Sequence, residues 1–242
     1  MEEIKPSLAL VTGAARRVGR ALAITLARQG YAILLHYNHS DKEAAVTVKE
    51  INAIGVPVYP VQADLTKIIE IDSLFSYLDS LDHQLRILVN SAAVMQRADI
   101  PTLSVEDWDT TMALNLRAPF LLSRQAAVRM KEGGMIVNIT DAGAGKAWTG
   151  FMAYSVSKKG LETLTHILAK SLAPKIRVNA IAPGLVLPSE NISDAEWQKL
   201  VSRLPLKRPT STDEIGSALI YLLNNESVTG QTIVVDSGYS LI

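Results

Sequence analysis

Tyr154 and Lys158 stand four residues apart, and Asp141 precedes the tyrosine by thirteen. The run Ala153–Glu162 reads as a helix, with Gly150 breaking the chain just upstream. On a helix, residues i and i+4 share one face, about 6 Å apart along the axis. Tyr154 and Lys158 therefore point the same way. A free phenol, with a pKa of about 10, is a poor acid or base at neutral pH. A nearby ammonium stabilises the phenolate and pulls that value toward the working range. The pair supplies a proton donor and its tuner on one rigid element. Tyr-x-x-x-Lys is also an ordinary pair on a helix surface, so the rest of the chain has to decide. Asp141 has two readings as well. A buried carboxyl can store a proton, and a strand-end carboxylate can simply cap local N–H groups.

The elements that must position these groups follow a regular alternation. Leu8–Thr12 is a short apolar run, and Gly13-Ala-Ala-Arg-Arg-Val-Gly19 follows it at once. Ala21–Gln29 repeats apolar residues at helical spacing and stops at Gly30, and Tyr31–Tyr37 reads as a buried strand. Strand, glycine turn, helix and strand form a βαβ unit whose first turn can hold a phosphate against helix N–H groups. Glycines beside a helix are also common turn punctuation. Further helices are expected at Lys42–Ile54, Ile68–Leu81, Trp108–Met130, Ala153–Leu172 and Asp213–Asn224. Further strands are expected at Val56–Ala63, Leu85–Asn90, Gly134–Thr140, Ile176–Ala182 and Thr232–Asp236. The alternation predicts an α/β fold: one Rossmann-type, doubly wound parallel sheet of about seven strands, with helices on both faces. The whole chain, 1–242, reads as a single domain. Leu185–Pro209 is its longest irregular segment and reads as a lid over a site. A capping box, Ser193-Asp-Ala-Glu196, opens a short helix inside it. Asp141 falls at the carboxyl end of the fifth strand, the edge where ligands lie in such sheets.

The second strand ends in His36-Tyr37-Asn38-His39-Ser40, with Asp41 past it. An acid there would grip a ribose 2′-hydroxyl, whereas basic and hydroxyl groups suit a 2′-phosphate. Arg17 in the preceding turn is the natural phosphate partner, since a guanidinium pairs bidentately with phosphate. Arg16 and Arg17 also fit as solvated loop charges. Asn90-Ser-Ala-Ala lets the chain approach a ligand closely, or is a plain tight turn. Asn115 sits within a helical stretch, where asparagine is mildly unfavourable.

Composition narrows the field. The 242 residues carry formal net charge zero and are 48% hydrophobic, which suits one compact core and offers nucleic acid or an anionic membrane no charge excess. There is no cysteine, and the four histidines form no HxxxH pair, so thiol chemistry is excluded and no metal is expected. No apolar run approaches the roughly 20 residues of a membrane span. The N-terminus, Met-Glu-Glu-Ile-Lys-Pro, is too acidic for a signal peptide. A cytoplasmic protein acting on a small molecule is expected.

Taken in order, Thr12-Gly13…Gly19, Asp64-Leu65, Asn90-Ser-Ala-Ala, Asn115, Tyr154-x-x-x-Lys158 and Pro183-Gly184 resemble the short-chain dehydrogenase/reductase family over nearly the whole chain. The resemblance implies that Tyr154 is the general acid. Lys158 would lower its pKa and bind the nicotinamide ribose, and Asn115 would hold a water in the proton relay. Asp64 and Leu65 would meet the adenine, and Asn90, Ser91 and Ala92 the adenosine ribose and neighbouring cofactor. The remaining implied cofactor contacts are Gly13, Arg16, Arg17, Val18 and Gly19 in the first turn and Tyr37, Asn38, His39 and Ser40 after the second strand. Thr140, Pro183, Gly184 and Leu185 complete them. Arg17 in place of a middle glycine and Asp141 in place of the usual serine resemble the pteridine reductase branch, as do Leu35–Ser40 and Gly238–Leu241. That likeness implies NADPH as cofactor, a pterin or related C=N or C=O substrate, and a homotetramer. Met95 and Trp148 would line the substrate pocket, Met95 standing where that branch has an aromatic ring. A 3-oxoacyl, ketone or quinone reductase of the same fold is the alternative. A dinucleotide-binding regulator without turnover is the third reading, and an intact Tyr154/Lys158 pair argues against it.

Overall fold

The computed structural model describes residues 6–188 and 192–242. The N-terminal residues 1–5 and residues 189–191 of the expected lid lie outside them. The first strand, β1 (Ser7–Val11), shows why the sheet forms: Ala9 and Val11 enter one apolar core while Leu8 and Leu10 enter another. A strand buried on both faces reads as a continuous apolar run, as in sheets covered by helices on each side. The remaining strands are β2 (Ala32–Tyr37), β3 (Val58–Gln62), β4 (Gln84–Asn90), β5 (Gly134–Ile139), β6 (Ile176–Pro183) and β7 (Thr232–Val235). All pairings are parallel, in the order β3-β2-β1-β4-β5-β6-β7. The order reverses between β1 and β4, so the carboxyl ends of these two strands bound the crevice where a ligand can enter.

One core contains residues of α1 (Arg17–Arg28), α2 (Asp41–Ile54) and α8 (Thr212–Asn224), among them Leu22, Ile51 and Leu219, all fully buried. The opposite core contains residues of α3 (Ile68–Ser80), α5 (Ala118–Arg129) and α6 (Met152–Leu172), among them Phe75, Leu122 and Ala169. Each buried leucine or phenylalanine contributes about 1.5–3 kcal/mol of transfer free energy.

The expected alternation holds, with one change of kind. The apolar stretch Trp108–Met130 is not one helix. It runs as α4 (Val105–Met112), a π-helical segment (Ala113–Arg117) and α5. The Ala118 N–H donates to the Ala113 carbonyl, five residues back, and residue 119 is a proline with no N–H. Such single-turn π segments recur at functional sites. The Ser104 hydroxyl caps α4 by accepting from the Asp107 N–H. The expected capping box at Ser193 opens α7 (Asp194–Val201), and a second box, Ser211 with Glu214, opens α8. No described helix is long and apolar enough to cross a membrane.

Candidate active site

β5 ends at Ile139 and α6 begins at Met152, and between them the chain turns so that Asp141 meets Tyr154. The Tyr154 hydroxyl donates to Asp141 Oδ2 at 2.8 Å, and the Gly143 N–H donates to Asp141 Oδ1 at 2.7 Å. One carboxyl group thus caps a local N–H and meets the phenol. Burial pushes it above its ordinary value, against the Tyr154 and Gly143 hydrogen bonds and the Lys158 charge that pull it down. Burial and the adjoining carboxylate hold the Tyr154 phenol well above 10.

Lys158 lies beside Tyr154 on one face of α6, as the spacing predicts. Lys158 is almost fully buried and its ammonium donates to the Ile139 carbonyl at 2.8 Å. It lies 5.8 Å from the centre of the Tyr154 ring. Burial lowers its own pKa to about 8, with Asp141 opposing. Burial first, and Asp141 second, keep the proton on the phenol in this state.

Asn115 is fully buried, and its carboxamide is spent on structure. Its Oδ1 accepts from the Val94 N–H at 2.9 Å, while Nδ2 donates to the Val94 carbonyl at 2.9 Å and to Ser157 Oγ at 3.1 Å. Ser157 in turn donates to the Tyr154 carbonyl at 2.7 Å. The side chain thus clamps the loop after β4 to α6 and holds no water with its amide protons. The α-helical donor to its backbone carbonyl would be residue 119, a proline without an N–H.

The glycine turn forms as expected. Gly19 faces Gly13 so closely that a Cβ there would overlap the Gly13 carbonyl oxygen. The Gly13 N–H donates to His36 Nδ1 at 3.2 Å, which puts the ring proton on Nε2, 2.9 Å from the Ala63 carbonyl. Burial takes the His36 pKa down to about 4, so this ring is neutral. His36 thereby ties the turn to β2 and to the end of β3. The Thr12 hydroxyl accepts from the Ser91 and Ala92 N–H groups, both at 3.0 Å, and fixes the turn after β4.

Asn90 departs from its expected cofactor contact, and Arg17 lines the cleft but is engaged with another segment. Asn90 is buried and donates from Nδ2 to Asn138 Oδ1 at 2.8 Å across the β4–β5 pair, so its carboxamide faces the sheet and not the crevice. Arg17, given to a 2′-phosphate from sequence, has φ 54°, and its guanidinium donates to the Pro188 and Leu187 carbonyls at 2.8 and 2.9 Å. It clasps the start of the irregular segment after β6.

One cleft of about 1300 Å³ unites nearly all the other expected residues. It runs from Tyr37, Asn38, His39 and Ser40, past Arg16, Val18 and the glycine turn, Asp64, Leu65, Ser91 and Ala92, to Thr140, Asp141, Tyr154 and Lys158. Pro183, Gly184 and Leu185 border it, with Met95 and Trp148 at the far end. Phe151, Arg97, Trp197 and Tyr239 also line it and were not anticipated. Only Tyr239 carried a signal, as part of the Gly238–Leu241 ending. Among the described residues no three histidine, aspartate or glutamate side chains gather where they could hold a metal ion.

A family model described as enoyl-(acyl carrier protein) reductase matches residues 13–240. The chain is 30% identical over 237 residues to the 3-oxoacyl-[acyl-carrier-protein] reductase FabG of Staphylococcus aureus, covering 95% of this chain and 96% of that one. Its fold is similar to that of FolM alternative dihydrofolate reductase 1 from Brucella canis, solved in complex with NADP. There the TM-score is 0.92 and the identity 36%, covering 99% of this chain and 96% of that chain. A blue fluorescent protein from a metagenomic library, solved with NADPH, aligns with TM-score 0.91 and 29% identity over 98% of both chains.

Proposed function

The chain belongs to the short-chain dehydrogenase/reductase family of NAD(P)-dependent oxidoreductases, and within it we propose an NADPH-dependent reductase of a pterin-like C=N or related C=O compound. The observation that carries this reading is the Tyr154–Asp141 hydrogen bond of 2.8 Å at the end of β5, with a carboxyl whose proton affinity is raised by burial.

The residues present fit the cofactor. The glycine turn and the α1 N-terminus offer backbone N–H groups to a pyrophosphate. Arg16, His39 and Ser40 line the cleft, and β2 ends without an acid to grip a 2′-hydroxyl, so we give these three the 2′-phosphate role that the sequence reading shared among Arg17, His39 and Ser40. Bound NADPH supplies the hydride that reduces the substrate carbon. Tyr154 gives its proton to the nitrogen or oxygen of the reduced bond, and protonated Asp141 returns one to the phenolate. Lys158, charged below about pH 8, offsets the negative charge of that pair. Asn115 keeps the loop after β4 and α6 in register, and its carbonyl is where we place the relay water.

The second reading, reduction of a 3-oxoacyl thioester, is favoured by the likeness to FabG and by Met95, which leaves the loop after β4 without a ring. Loss of reduced-nicotinamide absorbance with dihydrobiopterin, quinones and acetoacetyl-CoA distinguishes the two. We expect turnover with dihydropterin and NADPH. Turnover of the thioester alone would replace the first reading by the second, and turnover of nothing would leave a dinucleotide-binding regulator.

We also propose a homotetramer built on α5 and α6, because Phe120, Val128, Val156 and Ile167 leave these helices with apolar side chains turned to solvent.

A further inference from the structure

Position 95, on the loop after β4, gives the substrate end of the cleft no ring, and the Met95 side chain is 48% exposed. A wall of rings stands elsewhere in the same cleft. Trp148 packs edge-on against Phe151, with centroids 6.0 Å apart, and at a tilt against Tyr239, with centroids 6.1 Å apart. The three come from two distant parts of the chain, the loop ahead of α6 and the short 3-10 turn Tyr239–Leu241 after β7.

Both ends of this wall are fastened. The Lys146 ammonium lies 3.5 Å above the centre of the Tyr239 ring and donates to the Tyr239 carbonyl. Asp236 accepts from the Gly238 and Ser240 N–H groups and holds the turn from its other side. Trp148 rests on Gly143, where a Cβ would overlap the six-membered ring of the indole and lie 2.8 Å from the Tyr239 ring. Gly143 is the same residue whose N–H holds Asp141 Oδ1. The indole and the acid are therefore set against one another by a single peptide unit.

We propose that Trp148, backed by Phe151 and Tyr239, is the face on which the substrate's ring lies, making this site selective for a flat nitrogen heterocycle over a flexible acyl chain. The inference rests on the reading of the site as a heterocycle reductase. A conjugated ring stacks on an indole with a preference that an acyl chain does not share, worth roughly tenfold in binding. The ring wall shares its cleft with Asp141 and Tyr154, the groups that would protonate a heterocycle bound there.

The test combines binding and turnover. Biopterin, which is already oxidised, is titrated by calorimetry into protein saturated with NADP. The proteins are wild type, Trp148→Leu, Met95→Phe and the double variant. The ratio of kcat/KM for dihydrobiopterin to that for acetoacetyl-CoA is measured on the same four. We expect Trp148→Leu to weaken biopterin about tenfold and to lower the ratio by a similar factor, with unchanged NADPH affinity reporting an intact fold. Met95→Phe in that background should restore part of both. Biopterin binding that is lost on Trp148→Leu, in a protein that never reduces dihydrobiopterin, would uphold this inference while removing the proposed reaction. Equal binding to wild type and Trp148→Leu, or no binding to either, would overturn the inference whatever the turnover.

Discussion

At Asp141 stability and chemistry pull in opposite directions. Its folded pKa is raised from the ordinary 3.8, so the native state holds a proton that the unfolded chain releases more readily. The stabilising effect is complete below that ordinary value and is lost as pH rises through the raised one. Above that raised value the ionised carboxylate is a burden, so Asp141→Asn should leave Tm there unchanged or higher. The same change removes the proton store, and kcat/KM should fall by roughly 10²-fold. Wild type should lose rate as pH rises through the raised carboxyl pKa, and that fall should be absent from the variant's profile. Equal profiles and rates in the two proteins would take Asp141 out of the chemistry. His36 has the opposite sign. Its pKa drops from 6.5 to about 4, so its contribution is present above 6.5 and is lost as pH falls toward 4. Two and a half units correspond to about 3 kcal/mol. Protonation also removes the acceptor for the Gly13 N–H, which ties acid lability to the cofactor turn. Urea unfolding of wild type and His36→Asn at pH 7 and pH 4.5 should show a steep acid loss only in wild type.

At the scale of elements, the glycine turn and the lid meet through Arg17, and the two arginines of the turn should separate on mutation. Arg16→Ala removes a charge near the β2 end. It should raise the NADPH KM by about 10- to 100-fold, the equivalent of 1.5–3 kcal/mol, with little change for NADH. Arg17→Ala unfastens two lid carbonyls and should affect both cofactors alike. A selective NADPH effect of Arg17→Ala in steady-state kinetics would restore the assignment first made from sequence. That assignment could not foresee the carbonyls that Arg17 meets. The turn was legible from Gly13 and Gly19, but the direction of a long side chain at positive φ depends on where the lid lies. Strands such as Leu8–Val11 and Ala32–Tyr37 were legible because burial on both faces leaves an unbroken apolar run. The π segment around Asn115 was not, because helical periodicity does not register one extra residue in a turn and Pro119 alone suggests only a helix start. Asn90 was given to the cofactor because its partner, Asn138, becomes its neighbour only once β4 and β5 lie side by side. Tyr239 enters the cleft for the same kind of reason, since β7 must first take its place beside β6.

For the whole molecule the open question is how many chains share one functional particle. On α6, Val156, Gly160, Thr163 and Ile167 repeat at i, i+4, i+7 and i+11, a single stripe, and Val156 and Ile167 are 45% and 56% exposed. On α5, Val128 is 74% exposed. In an isolated chain, such positions touch little, and a polar replacement costs within about 0.5 kcal/mol. In a tetramer packed through these helices, the same replacement buries a charge without a partner, which is expensive. Val128→Glu with Ile167→Glu therefore separates the cases. Light scattering at micromolar concentration should give wild type about four times the 26.2 kDa chain mass and the double variant a smaller particle with its monomer fold intact. A wild type that already runs at the monomer mass would remove the tetramer. A tetramer indifferent to both glutamates would move the interface to another face, with the exposed ending Leu241–Ile242 the next apolar surface to alter. That ending follows directly on Tyr239, so a contact there would bear on the ring wall of the cleft, and dissociation should then change KM for substrate before it changes kcat.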